Sequence, residues 1–371
     1  MRAIVVAGGT GGHIYPALAI IDKICEKEPN SEILYIGTSD RMEKDIVPKR
    51  GIKFIGLEMK GFNRKNPFKN ISVVVKTLKA YKKAKRIIKE FDPDIVIGAG
   101  GYITAPVLYA AHKLGYKTLV HEQNSIPGMS NKFLANFTNT LCLSFPESKK
   151  YFKNNNTVYT GNPRSEEISK VEKVSKTKFG FSKNKKLVVI VMGSLGSTTI
   201  TNRLKEMIPS FKDKKYQILI VTGNSYYNNY KDISIPDNVK LVPFLDDLIN
   251  LMKDTDLLVS RAGASTIAEI TSIGIPSILV PSPYVTHNHQ YLNAKELEDK
   301  KACIIVEEDK FNSVNLINTI DKIIDDKKLY KELSDNSYKF GVRDSSLKIY
   351  KEIRKLLGDI NEWSNKRIRK V

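Results

Sequence analysis

The chain has 371 residues, 41% hydrophobic and 27% charged, with a formal net charge of +20 and a pI near 9.5. That length exceeds the usual single core and predicts two domains, and the composition excludes extended disorder except at the ends. Cys25, Cys142 and Cys303 stand far apart with no CxxC pair, which argues against a disulfide scaffold or a zinc site.

Short β-branched runs at 2–7, 33–37, 54–57, 95–98, 118–121 and 140–143 read as strands, with amphipathic stretches such as 17–27 and 106–114 between them. A Gly/Pro turn, Gly161-Asn162-Pro163-Arg164, opens a charged stretch of weak periodicity and marks the linker. Strands resume at 187–192, 218–222, 239–242, 257–260, 277–279 and 303–306. A helical pattern at 346–357 then leads to the basic tail Lys366-Arg367-Ile368-Arg369-Lys370. Continuous apolar strands alternating with helices mean parallel sheets covered on both faces. The expected fold class is α/β, with two Rossmann-like doubly wound domains at 1–163 and 164–340. No apolar run is long enough for a signal peptide or a membrane span, so a cytoplasmic protein is expected.

The charge excess predicts either a polyanionic partner or simply solvated Lys-rich faces. From Lys60 to Lys89 no Asp or Glu interrupts the basic residues, which include Lys69, Lys76 and Lys79. Apolar Phe68, Ile71, Val74, Val75 and Leu78 recur among them at three- and four-residue spacing, the pattern of a basic amphipathic helix. Up to Val75 the expectation is docking on an anionic membrane. From Leu78 onward it is packing against the sheet. Nucleic acid is the rival partner and is not expected, because no nucleic-acid motif is recognisable.

Three glycine-rich turns follow strands: Gly8-Gly9-Thr10-Gly11-Gly12-His13, Ala99-Gly100-Gly101-Tyr102, and Gly193-Ser194-Leu195-Gly196-Ser197. Such turns place backbone N–H groups at helix starts, where a phosphate can bind. The first is not GxGxxG, and no acidic residue ends the second strand, which argues against a nicotinamide cofactor. His13 brings an imidazole to the ligand end of the sheet, unless it merely caps the helix.

After the strand at 257–260 come Arg261, Gly263, Ala264, Ser265 and Thr266, small residues beside a cation and suited to a diphosphate. Glu269 lies one helical turn past Ser265, where its carboxylate can accept a ribose diol. The strand at 118–121 runs into His121-Glu122-Gln123-Asn124, a polar end that points to a site; His289 and Gln290 similarly open a helix. Asp92-Pro93-Asp94 and Asp254-Thr255-Asp256 precede strands at the opposite end of the sheet and read as turn residues. No metal and no cofactor are expected.

Taken together, the motifs at 8–16, 100–106, 121–124 with Asn131-Lys132, 161–164, 193–196, 260–269 and 289–294 resemble the MurG family. Its members are UDP-N-acetylglucosamine–lipid I N-acetylglucosaminyltransferases of peptidoglycan synthesis. The resemblance runs from near Met1 to about residue 356. It implies a GT-B fold, a last helix at 341–371 returning to the first domain, and a peripheral place on the cytoplasmic face of the membrane. The implied partners are UDP-GlcNAc, held mainly by the second domain, and undecaprenyl-linked lipid I, held by the first. It also implies that Arg164 and Ser194 approach the diphosphate, that Phe244 and Leu245 flank uracil, and that Gln290 contacts the sugar. Thr10, His13, Tyr102 and Asn124 match positions for acceptor binding or catalysis, and Gly11, Gly12 and Gly196 belong to the same turns. One departure is Leu195, where the family usually has Gln or Arg; another is Met192 in place of a Gly. The expected reaction is inverting transfer to the muramoyl 4-hydroxyl, with His13 as general base. The rivals are a UDP-sugar diacylglycerol glycosyltransferase and a UDP-GlcNAc epimerase.

Overall fold

The strands are apolar on both faces: Ala3 to Ala7, Ile95 to Ile97 and Leu257 to Val259 are all fully buried, as a helix-covered parallel sheet demands. The structure, a computed structural model, describes residues 1–61, 70–152, 156–192 and 198–358. In chain order the first elements are β1 (Arg2–Val6), α1 (Gly11–Lys27), β2 (Glu32–Thr38), α2 (Glu43–Lys49), β3 (Lys53–Leu57) and α3 (Asn70–Phe91). Then come β4 (Ile95–Gly98), α4 (Thr104–Lys113), β5 (Lys117–Glu122), α5 (Met129–Leu134), β6 (Thr140–Leu143), β7 (Thr157–Tyr159) and α6 (Arg164–Lys170). The next series is β8 (Leu187–Val191), α7 (Thr198–Met207), β9 (Gln217–Val221), β10 (Val239–Val242), α8 (Leu248–Met252), β11 (Leu257–Ser260) and α9 (Ala264–Ile273). It closes with β12 (Ser277–Leu279), α10 (His289–Glu298), β13 (Ile304–Ile305), α11 (Ser313–Asp325), α12 (Lys327–Phe340) and α13 (Ser345–Leu356).

The chain divides into two units, Met1–Arg164 with the segment from Asp344 onward, and Ser165–Arg343. The first carries a parallel sheet of order β3-β2-β1-β4-β5-β6-β7, the second one of order β10-β9-β8-β11-β12-β13. In each, the strand order reverses beside the unit's first strand, between β1 and β4 and between β8 and β11. Such reversals open a crevice at the carboxyl ends of the strands.

All twelve expected strands form, with ends shifted by a residue or two. Strand β7 was not expected. Its residues Thr157, Val158 and Tyr159 are only partly covered, so they lack the apolar run that marks a buried strand. Helix α1 starts at Gly11, six residues before the amphipathic stretch 17–27, because Thr10 closes its first turn: the His13 and Ile14 N–H groups bond to the Thr10 carbonyl.

Helix α13 lies on the first unit. Ile349 and Ile353 join the apolar cluster beneath α1, and Ser345 and Ser346 donate to the Asn162 and Pro163 carbonyls at 2.6 and 2.9 Å. Glu28 accepts from Tyr350 and Arg354 at 2.9 and 2.8 Å and pairs with the N-terminal ammonium. Burial alone would raise its pKa, but these partners hold it below the usual carboxylate range.

Candidate active site

At the β1/β4 crevice of the first unit, two glycine turns interlock. The Gly8 N–H donates to the Gly100 carbonyl at 3.3 Å. A Cβ on Gly101, where φ is +91°, would lie 2.4 Å from the Gly8 oxygen, so no side chain can replace this glycine without moving the loop. His13 sits over this junction. Its Nδ1 is 3.2 Å from the Gly8 carbonyl oxygen and 3.4 Å from Thr10 Oγ1. A carbonyl only accepts, so that contact places the proton on Nδ1 and leaves Nε2 with its lone pair. A Cβ on Gly100 would approach His13 Cδ2 to 2.4 Å and Nε2 to 2.9 Å; the bare glycine makes room for the ring.

The first turn differs from its expectation as a phosphate loop. The Gly8 N–H goes to Gly100, that of Gly9 to the Glu43 carboxylate at 3.3 Å, and that of His13 to Thr10. These donors are used within the unit.

The polar end of β5 also divides differently from the expectation. His121, Glu122 and Gln123 are all at least 98% buried and act as braces. His121 Nε2 lies 3.0 Å from the Gly161 carbonyl and 3.3 Å from Ser144 Oγ. Burial pushes its pKa down to about 4, so the ring is neutral at physiological pH. Glu122 accepts from the Asn124 N–H at 2.9 Å, Asn131 Nδ2 at 2.8 Å and the Gly128 N–H at 3.1 Å. Burial raises its pKa, with those hydrogen bonds opposing. Gln123 Nε2 donates to the Ala99 carbonyl at 2.5 Å. Asn124, half-buried, is the member these braces present. Tyr102 is half-buried beside Gly61, and the Arg164 guanidinium lies over the Tyr15 ring at 5.4 Å.

In the second unit the crevice between β8 and β11 is bordered by α9. Gly263 is its N-cap, and the helix opens with Ala264, Ser265 and Thr266. First-turn N–H groups have no acceptor within their own helix, so this end favours an anion. Ser265 Oγ is buried without a hydrogen-bond partner, and Glu269 is half-buried one turn along. Arg261 is a correction: its guanidinium is committed inside the unit, 2.6 Å from Glu308 and bonded to the Val280 carbonyl at 3.0 Å. A phosphate at this turn would therefore meet backbone donors, with the cation acting as their support. Gln290 Oε1 accepts from the Ser282 N–H at 2.9 Å, and His289 Nδ1 is 2.8 Å from the Thr286 carbonyl. Burial lowers the His289 pKa. Phe244 is 58% exposed and Leu245 partly so. Ser194, Leu195 and Gly196 lie outside the described residues, as do Phe68 and Lys69.

The aspartate pairs serve as turn residues. Asp94 accepts from the Arg2 N–H at 2.7 Å and Asp92 from Tyr116 at 2.8 Å. Asp254 accepts from the Lys176 N–H and Asp256 from the Leu187 N–H, both at 2.8 Å. On α3 the exposed stripe extends further than expected. Ile71, Val74, Val75 and Leu78 are 68, 47, 46 and 57% exposed, while Val73, Ala80, Ala84, Ile87 and Ile88 form the buried side. Leu78 falls on the i+7 position of Ile71 and so shares its outward face. No helix among the described residues is long and apolar enough to cross a membrane.

Sequence reasoning missed Glu43, which is fully buried yet touches the His13 turn. Its signal was weak: an acidic residue in the first turn of a short helix, ordinarily solvated.

Residues 3–142 match the glycosyltransferase family 28 N-terminal domain, and residues 187–349 match its C-terminal domain. A relative from Bacillus subtilis (strain 168) is 43% identical over 361 residues, 96% of this chain and 99% of its own. Its name is UDP-N-acetylglucosamine–N-acetylmuramyl-(pentapeptide) pyrophosphoryl-undecaprenol N-acetylglucosamine transferase. A namesake from Bacillus pumilus (strain SAFR-032) is 42% identical with the same coverage. Among solved structures, Acinetobacter baumannii MurG aligns with a TM-score of 0.77 at 25% identity, covering 95% of this chain and 99% of that one. A UDP-GlcNAc 2-epimerase from Neisseria meningitidis aligns at 0.68 with 16% identity over 96% of this chain and all of its own, a likeness of fold alone.

Proposed function

Glycosyltransferase family 28 is the family to which this chain belongs, and from that premise we propose that it makes lipid II from lipid I. It transfers N-acetylglucosamine from UDP-GlcNAc to the 4-hydroxyl of the muramoyl sugar in undecaprenyl-pyrophosphoryl-MurNAc-pentapeptide. The observation that carries this reading is the full-length match, at 43% identity, to a transferase of that name.

The geometry supports a mechanism of base-assisted inversion. His13 Nε2 takes the proton of the acceptor hydroxyl while that oxygen bonds to C1 of GlcNAc. The bond from C1 to the phosphate oxygen breaks, and UDP leaves with the electron pair. One displacement turns the α-linked donor into a β-linked product. Backbone N–H groups at the start of α9 stabilise the developing diphosphate charge, Glu269 holds the ribose, and Phe244 and Leu245 flank the base. Arg164, Ser194 and Gln290 complete the donor site, while Thr10, Tyr102 and Asn124 serve the acceptor.

Peripheral docking on the anionic cytoplasmic leaflet belongs to the same reading, because the acceptor is lipid-linked. The outward stripe on α3, with Lys76 and Lys79 beside it, supports it, since each basic side chain near such a leaflet contributes about 1 kcal/mol.

Radiolabel transfer from UDP-GlcNAc tests the proposal directly. Label should move to a lipid I analogue and not to diacylglycerol. Conversion of the donor without any acceptor would instead identify an epimerase and overturn it.

A further inference from the structure

We propose that Glu43 is a positioning residue for the base at His13, acting through the peptide bond between Gly8 and Gly9. The inference rests on the reading of His13 as general base. The Gly9 N–H donates to both Glu43 carboxylate oxygens at 3.3 Å. The carbonyl of that same peptide unit, on Gly8, faces His13 Nδ1 at 3.2 Å. A carboxylate, a peptide and an imidazole thus stand in line. Negative charge at one end polarises the peptide so that its oxygen is a stronger acceptor for the Nδ1 proton. The arrangement holds the tautomer with its proton on Nδ1, which makes Nε2 the basic nitrogen, and stabilises the imidazolium that results.

The fold builds this contact deliberately. Glu43 is fully buried, and Oε1 also accepts from the Thr38 N–H at 2.9 Å and Thr38 Oγ1 at 2.5 Å. Two backbone N–H groups and a hydroxyl thus converge on this carboxyl, satisfying its oxygens away from water. Two glycines clear its slot: a Cβ on Gly8 would lie 2.5 Å from Glu43 Oε1, and one on Gly37 would lie 2.7 Å from its Cγ. Other titratable or charged side chains near these turns include Tyr15, Tyr102, His121, Glu122 and Arg164, while Asp22, Lys23, Cys25, Glu26 and Lys27 lie more than two turns further along α1. Glu122 is spent on Asn124, Gly128 and Asn131, and Arg164 lies over the Tyr15 ring.

The test is nitrogen NMR of the full chain with labelled histidine, the His13 signals being those absent from His13→Gln. In the wild type above its titration, the neutral ring should carry its proton on Nδ1. Glu43→Gln, which removes the charge but keeps the shape, should lower the His13 pKa by roughly half a unit or more. The acidic limb of the kcat–pH profile should move down with it, and Glu43→Asp should stay nearer the wild type. A merely structural role would lower kcat without moving that limb. A proton found on Nε2 in the wild type, or an unmoved His13 pKa in folded Glu43→Gln, overturns the proposal. Should Glu43→Gln not fold, the wild-type tautomer and the aspartate variant decide. The NMR result stands apart from the general-base reading, which fails separately if His13→Gln keeps kcat within about tenfold.

Discussion

Arg261 and Glu308 form a buried ion pair, Nη2 to Oε2 at 2.6 Å, with side chains 10 and 5% exposed. Arg261 is therefore neutralised in place beside the first turn of α9, and under the proposed function its part would be to hold that turn. Removing one partner of such a pair leaves an uncompensated buried charge, which costs about 3–5 kcal/mol. Glu308→Ala and Arg261→Ala should each lose stability on that scale and raise the donor KM. Arg261→Met with Glu308→Leu should recover most of the stability. Urea titrations of the four proteins give the coupling energy, and a value near zero would contradict the role assigned here.

The Gly100 Cα hydrogen faces the His13 ring, and its φ of +101° is one that side chains seldom adopt. Gly100→Ala should displace the imidazole and lower kcat at least tenfold, as part of the 10²–10⁴ that a general base supplies. UDP affinity should not change, because, Arg164 apart, the proposed donor residues belong to the other unit. Steady-state kinetics and UDP titration calorimetry check the split; an unaltered kcat would mean that the ring position is unimportant.

His121 predicts a pH effect on stability. Its folded pKa is near 4 because of burial, while an exposed imidazole titrates near 6.5. Below about 6.5 the unfolded chain binds a proton that the folded chain refuses. The stabilising contribution is complete above that pH and is lost as pH falls toward 4, at up to ~1.4 kcal/mol per unit. Glu122 works in the opposite sense. Burial raises its pKa, so the unfolded state ionises first and stability declines as pH rises through the carboxylate range. Comparing denaturation of the wild type and His121→Gln between about pH 4 and 7 separates the two. The variant should lack the acid-side loss; parallel curves would show that His121 is not protected from protonation.

Ile71 and Leu78 project from one face of α3. Ile71→Ser with Leu78→Ser should weaken binding to anionic vesicles at every salt concentration. Lys76→Ala with Lys79→Ala should weaken it chiefly at low salt, where screening is least. Activity on a water-soluble acceptor should survive both pairs. Vesicle co-sedimentation over a salt series is the check, and unchanged binding in both pairs would remove α3 from the membrane surface.

Much of the fold was legible because its signals are local. Apolar runs such as 187–191 can only be strands covered on both faces, and glycines after β1 and β4 mark turns where the backbone must come close. Strand β7 was illegible because an edge strand of two half-buried residues and an exposed tyrosine carries no such run. The outward turn of Leu78 was missed for a related reason: helical spacing gives a face, but the neighbouring element decides which face is covered.

The chain's own chemistry thus determined its two parallel-sheet units, the turns that line their crevices, and the imidazole at the first of them. Tertiary structure alone decided which polar residues are buried as braces. Arg261, His121 and Glu122 are as polar in the sequence as the half-buried His13 and Asn124, yet folding buries all three among internal partners. Glu43 lies thirty residues beyond His13 in the chain and meets its turn only when β1 and β2 align. Periodicity reports the side a residue faces, whereas a partner distant along the chain is fixed by packing.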